Sequence, residues 1–141
     1  MADEMAKRAA ICAFLEANVG DPYTFGAEIG KEADPKTGDC SEYMEQAYVR
    51  AGEPYPDGCI NQQAVVGHRK VKEPKPGDPF FFGPNAKGTR HTGAYIGRGL
   101  CIHAAGGKGV IVEPRSTIER HPRFLGFFRH PSFAYPPEDR A

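Results

Sequence analysis

Charge of one sign is what this 141-residue chain lacks, for 18 Lys and Arg are set against 18 Asp and Glu. A nucleic-acid binder needs a basic face, and a single-strand binder needs aromatic platforms in a basic groove; neither pattern is present. Long apolar runs are missing too. The stretch from Ala9 to Leu15 follows Lys7 and Arg8, but it is short, is preceded by Asp3 and Glu4, and is closed by Glu16. That is not the clean basic start and long apolar core of an export signal. No window approaches the roughly 18 apolar residues of a membrane span. A chain made in the cytoplasm without a recognisable signal peptide and without a membrane segment is the expectation. C-x-x-C pairs are absent, which removes the zinc ribbon and the thioredoxin motif. The four cysteines, Cys12, Cys40, Cys59 and Cys101, read as reduced thiols, since a chain with 40% hydrophobic residues can build a core without disulfides. Internal repeats and low-complexity linkers are also missing, so one domain is expected.

What is present is a helix-rich first part and a strand-rich second part. The 17 glycines and 13 prolines indicate many turns. Asp3 can cap a helix over 4–18 with Ala6, Ala9, Ala10, Phe14 and Val19 on its apolar face and Gly20 past its end. Residues 21–38 read as loop. A second helix starts at Asp39 or Cys40 and ends near Ala51, closed by Gly52. Cys40, Tyr43, Met44, Ala47, Tyr48 and Ala51 share its buried face, and Glu42, Glu45 and Arg50 lie largely outside it. A short helix over 61–67 follows, then a turn over 74–78. From there the period becomes two: 80–82, 91–97, 99–104, 110–112 and 124–129 read as strands, with Gly97-Arg98-Gly99 as a tight hairpin connection. N-terminal helices packed on an antiparallel sheet of about five strands make an α+β fold. The domain is expected to cover 1–130, with a loosely attached Pro-rich tail over 131–141.

Three side chains suggest chemistry. Cys40 opens a helix, where unpaired backbone N–H groups and the helix dipole favour a thiolate, the nucleophilic form. His91 opens one strand and His103 lies in the next. Counted outward from Arg98, they sit seven residues back and five forward, so they share a face as diagonal neighbours, roughly 7–8 Å apart at the backbone. One imidazole can then take the thiol proton while the other holds it in place. The plainer readings are a buried structural thiol and two packed histidines. Cys12 reads as core, Cys59 as loop, and Cys101 as packing on the face of His103. His68, His121 and His130 read as structural or exposed. A rival chemistry is zinc held by Cys40, His91, Cys101 and His103, although that spacing fits no standard finger.

The order Gly38-Asp39-Cys40-Ser41, Pro76-Gly77-Asp78 followed by aromatics, His91-Thr92-Gly93-Ala94-Tyr95-Ile96-Gly97 and Ile102-His103-Ala104 resembles the NlpC/P60 family of bacterial and phage cell-wall peptidases, over about residues 21–130. The resemblance implies a papain-like NlpC/P60 fold and a peptidoglycan endopeptidase, with neither metal nor cofactor. Cys40 would be the nucleophile, His91 the base and His103 the orienting residue. Tyr23, in Pro22-Tyr23, and Ser41 would lie at the oxyanion and substrate. The implied substrate is a stem-peptide amide, D-γ-glutamyl to a diamino acid or a neighbouring bond, cut in the cell envelope or periplasm. The chain carries no wall-binding repeat, so delivery would fall to a phage virion, a holin, a secretion system or another partner. Departures from the family pattern are Glu42 after Cys40-Ser41, Phe25-Gly26-Ala27 after the Pro-Tyr element, Pro79 after Gly-Asp, and no Arg-Ser or Arg-Thr near 57–60. They fall on cleft positions and leave the catalytic ones intact. The alternatives are a non-catalytic structural or binding module of a phage tail or cell envelope with the same fold, and an acyltransferase or amidase acting on another amide.

Overall fold

The computed structural model describes residues 2–21 and 39–141. Two helices, α1 (Ala2–Ala17) and α2 (Cys40–Arg50), precede a third, α3 (Cys59–Val66). Six strands follow: β1 (Lys70–Val71), β2 (Pro79–Phe82), β3 (His91–Gly97), β4 (Leu100–Ala105), β5 (Gly109–Pro114) and β6 (Phe124–Phe128). A short helix α4 (Arg115–Glu119) lies between β5 and β6. The strands form one antiparallel sheet in the order β1-β6-β2-β3-β4-β5. The sheet therefore has six strands rather than about five. The extra one, β1, is two residues long, too short for a period of two to show. No helix among the described residues is long and apolar enough to cross a membrane.

Alternation along the strands splits the apolar residues between two layers. Phe81, Ala94, Ile102 and Ala104 pack with Ile11, Leu15, Tyr43, Met44 and Tyr48 of α1 and α2. Phe80, Cys101 and Phe127 face the other way, with Val71 of β1, against Ile118 of α4. On α2 the buried face is the expected one from Cys40 to Tyr48, but Ser41 and Glu42 are buried with it, and Ala51 lies past the helix end and is only partly buried. On α1 the expected face is wrong except at Phe14, which packs against the core. Ala6, Ala9 and Ala10 are exposed and Val19 is 49% exposed, while Arg8, Ile11, Cys12, Leu15 and Asn18 are buried. Ile11 and Leu15 bury far more apolar surface than alanine can, so they set the rotation of the helix.

The hairpin between β3 and β4 has the expected register, with Ala94 opposite Ile102 and Tyr95 opposite Cys101. Its turn is Arg98-Gly99, both at positive φ (54° and 72°), and a register shift between Tyr95 and Gly97 takes up the odd residue. The C-terminal segment is held more firmly than its composition suggests. Phe133 is 3% exposed and packs in the α1–α2 core, Arg8 stacks on its ring, and Ala141 donates its backbone N–H to the carbonyl of Lys70.

Candidate active site

Asp39 is extended (φ −101°, ψ 176°) and its carboxylate accepts the backbone N–H of Glu42 at 2.9 Å, which makes it the N-cap of α2. The Ser41 hydroxyl donates to the same oxygen at 3.1 Å. This cap starts the helix at Cys40, so the thiol sits among unpaired N–H groups at the positive end of the dipole. Helix α2 packs on β3 and brings Cys40 to that strand's first residues, near enough to the His91 imidazole and the backbone N–H of Thr92 for both to lower the pKa of its thiol.

The register of β3 and β4 places His91 and His103 on the sheet face that also carries Phe80 and Phe82. His91 Nε2 lies 2.7 Å from His103 Nδ1, and His103 Nε2 lies 2.7 Å from Glu113 Oε2. Aromatic rings fix both imidazoles. Phe82 stacks on His91 at 5.5 Å between centroids, and Phe80 meets His103 edge-on at 5.8 Å. Gly93 leaves the room they need. A Cβ there would come within 2.6 Å of the Cβ of His103 and 2.6 Å of the Phe80 ring.

These bonds settle the proton positions. Burial, with His91 nearby, lowers the pKa of His103 and favours its neutral form. Glu113 can only accept, so His103 donates through Nε2 and accepts at Nδ1. His91 then donates through Nε2, which leaves its Nδ1 for the proton of Cys40. The Cys40 thiol is pushed down to about 5, first by its hydrogen bond with Cys59, then by the nearby His91 imidazole and the Thr92 N–H, against the opposing effect of burial. A thiol so placed is a thiolate at neutral pH.

The structure thus brings together Cys40, His91 and His103. Tyr23 and Pro22 lie outside the described residues. Ser41 is buried, its hydroxyl engaged by Asp39 and its carbonyl by Gln62. Cys101 is buried between Val71, Phe80, Ile118 and Phe127. Among the described residues, the four side chains of the zinc alternative do not gather into one ion-holding group. Two residues at the site were not anticipated. Glu113 follows from the same offset-by-two rule on β5, which runs to Pro114, two residues past the end at Val112 that the sequence pattern suggests. Cys59, with its Sγ 3.7 Å from that of Cys40, has no sequence signal, because only the folding of α3 against α2 brings it there.

An open-sided cavity of about 460 Å³ borders His91, His103 and Glu113 and does not include Cys40. Arg90, Lys108 and Arg123 give it a cationic rim.

The sequence matches the NlpC/P60 family over residues 20–129. Among solved structures, the peptidoglycan hydrolase RipB of Mycobacterium tuberculosis is 25% identical with a TM-score of 0.75, covering 92% of this chain and 66% of that one. The NlpC/P60 domain of the peptidoglycan hydrolase SagA is 27% identical with a TM-score of 0.70, covering 86% and 97%. The P60 domain of an antigen of M. avium subspecies paratuberculosis is 23% identical with a TM-score of 0.72, covering 92% and 97%. Several other matched structures are longer, and this chain spans less than half of them. A comparison with curated proteins finds no match.

Proposed function

The chain belongs to the NlpC/P60 family, and on that footing we propose that it is a cysteine peptidase that cuts an amide bond in peptidoglycan stem peptides. The observation that carries this reading is the chain of contacts from Cys40 through His91 and His103 to Glu113, set at the start of α2. The bond we assign is that between D-γ-glutamyl and a diamino acid, and the place of action is the cell envelope. RipB and SagA, both described as peptidoglycan hydrolases, support the substrate class.

The Cys40 thiolate attacks the scissile carbonyl carbon and forms a tetrahedral oxyanion. Backbone N–H groups at the start of α2, including that of Ser41, stabilise it. His91, as imidazolium, gives its proton to the leaving amine, and a thioester remains on Cys40. Water then attacks with His91 as base and restores the thiolate. His103 and Glu113 hold His91 in the tautomer and orientation that both steps require. His91 must stand between the sulfur and the leaving amine, so the cavity beyond it receives the leaving residue. A cationic rim suits a stem peptide, whose residues carry free carboxylates.

Digestion of purified sacculi followed by mass spectrometry of the released fragments tests this. The wild-type protein should release fragments ending at the D-glutamyl residue, and Cys40→Ala should release none. Undiminished release by Cys40→Ala would falsify the mechanism.

A further inference from the structure

The mechanism leaves Cys59 unused, although its sulfur touches the proposed nucleophile. Cys59 is the first residue of α3, and the Sγ–Sγ separation of 3.7 Å is hydrogen-bonding distance for sulfur. One sulfur must therefore donate to the other, and the neighbours decide which. Cys40 has the His91 imidazole, the Thr92 N–H and the N-terminal turn of α2 on its remaining sides, all favouring the anion. Cys59 has the carboxylate of Asp39 near it, and a second anion there would be repelled. Among the described residues, the other ionisable groups around the pair are Glu42 and Tyr43 from the first turn of α2, Tyr55 from the segment before α3, His91 from β3, His103 from β4 and Arg90 from the segment before β3. From α1 the apolar Leu15 lines the same small cavity as Cys40.

We propose that Cys59 is a positioning residue whose S–H donates to the Cys40 sulfur and holds it as a thiolate aimed for attack. The proposal rests on the reading of Cys40 as the nucleophile. The Cys59 proton stays on Cys59 throughout: the new C–S bond forms at Cys40, and the leaving amine takes its proton from His91. Once the thioester forms, the sulfur has lost its negative charge and the S–H···S contact weakens; hydrolysis restores it. A donor of this kind raises the thiolate fraction in acid and damps the nucleophilicity of the thiolate once formed.

The test is the rate of Cys40 alkylation by iodoacetamide between pH 4 and 9, read by mass spectrometry on the Cys40 peptide, in wild type, Cys59→Ala and Cys59→Ser. The wild-type rate should rise with a midpoint near 5, the value to which the thiol is pushed down. Cys59→Ala should move the midpoint up by about one pH unit or more, the effect of losing a charge-assisted hydrogen bond. It should also react as fast as wild type, or faster, at pH 9. Cys59→Ser, which keeps a donor, should recover most of the shift. An unmoved midpoint in Cys59→Ala overturns the proposal. So does a Cys59→Ser midpoint displaced as far as that of Ala, which would show packing rather than donation. Cys59→Val, which fills the space without a donor, replaces Ala in this comparison should that variant fail to fold. Alkylation needs no turnover, so the two readings fail separately. A shifted midpoint in a protein that leaves sacculi intact removes the hydrolase reading and keeps the thiol pair, and hydrolysis with no shift removes the pair alone.

Discussion

Glu113 shows how closely a single side chain can depend on strand arithmetic. It lies two residues beyond Ile111, the direct partner of His103, just as His91 lies two residues beyond the position opposite His103 on the other side. The diagonal relation between the histidines was legible in the sequence because Gly97-Arg98-Gly99 fixes the hairpin. The same relation to Glu113 was lost only because that strand was ended too soon. In the proposed reaction Glu113 sets the tautomer of His103, and His103 that of His91. Glu113→Ala should therefore lower kcat by on the order of tenfold to a hundredfold, the range in which misoriented catalytic groups fall. It should leave Cys40 open to alkylation, because the thiolate's own hydrogen-bond partners remain. Steady-state hydrolysis of a stem-peptide substrate measures the first effect, and an unchanged kcat would remove Glu113 from the mechanism. Cys59 marks the limit of residue-level reading, since nothing in its spacing from Cys40 foretells contact.

Among the elements, α2 was legible almost to the residue because a capping aspartate, a run of large apolar side chains and a closing glycine agree. The first helix was not. Its alanines fit either side, and only packing shows that Ile11 and Leu15 face inward. The cap of α2 has a further consequence, because it also fixes where the nucleophile sits. Asp39→Ala removes the acceptor for the Glu42 N–H and for the Ser41 hydroxyl. It should cost about 1 kcal/mol of stability, as N-cap losses do, seen as a lower midpoint in urea unfolding. Asp39→Asn keeps an acceptor and should recover most of that loss. Equal destabilisation by both variants would show that the capping bond is not what matters at this position.

Across the whole molecule, the fold class followed from the change of period after residue 78, but the contacts that tie its two ends together did not. Asp78 reads in sequence as the last residue of a turn. In the structure it is fully buried and accepts from Arg8 Nη1 at 3.0 Å, Arg129 Nη2 at 2.9 Å and the backbone N–H of Lys75 at 2.8 Å. Arg129 also binds Asp139, and Arg8 stacks on Phe133. Removing the central carboxylate takes from two buried guanidiniums the acceptor they share and leaves each with one outer carboxylate, Glu4 for Arg8 and Asp139 for Arg129. Asp78→Ala should lose about 3–5 kcal/mol, far more than a surface ion pair contributes; a thermal midpoint within a few degrees of wild type would contradict this. These partners lie 70 and 51 residues from Asp78 along the chain, so no local pattern could announce them. Fraying at one terminus is thereby coupled to the other: the first helix cannot lift without uncovering the anchor of the last strand. In a deuterium-uptake experiment the amides of α1 and of 129–139 should open as one unit, with a common rate.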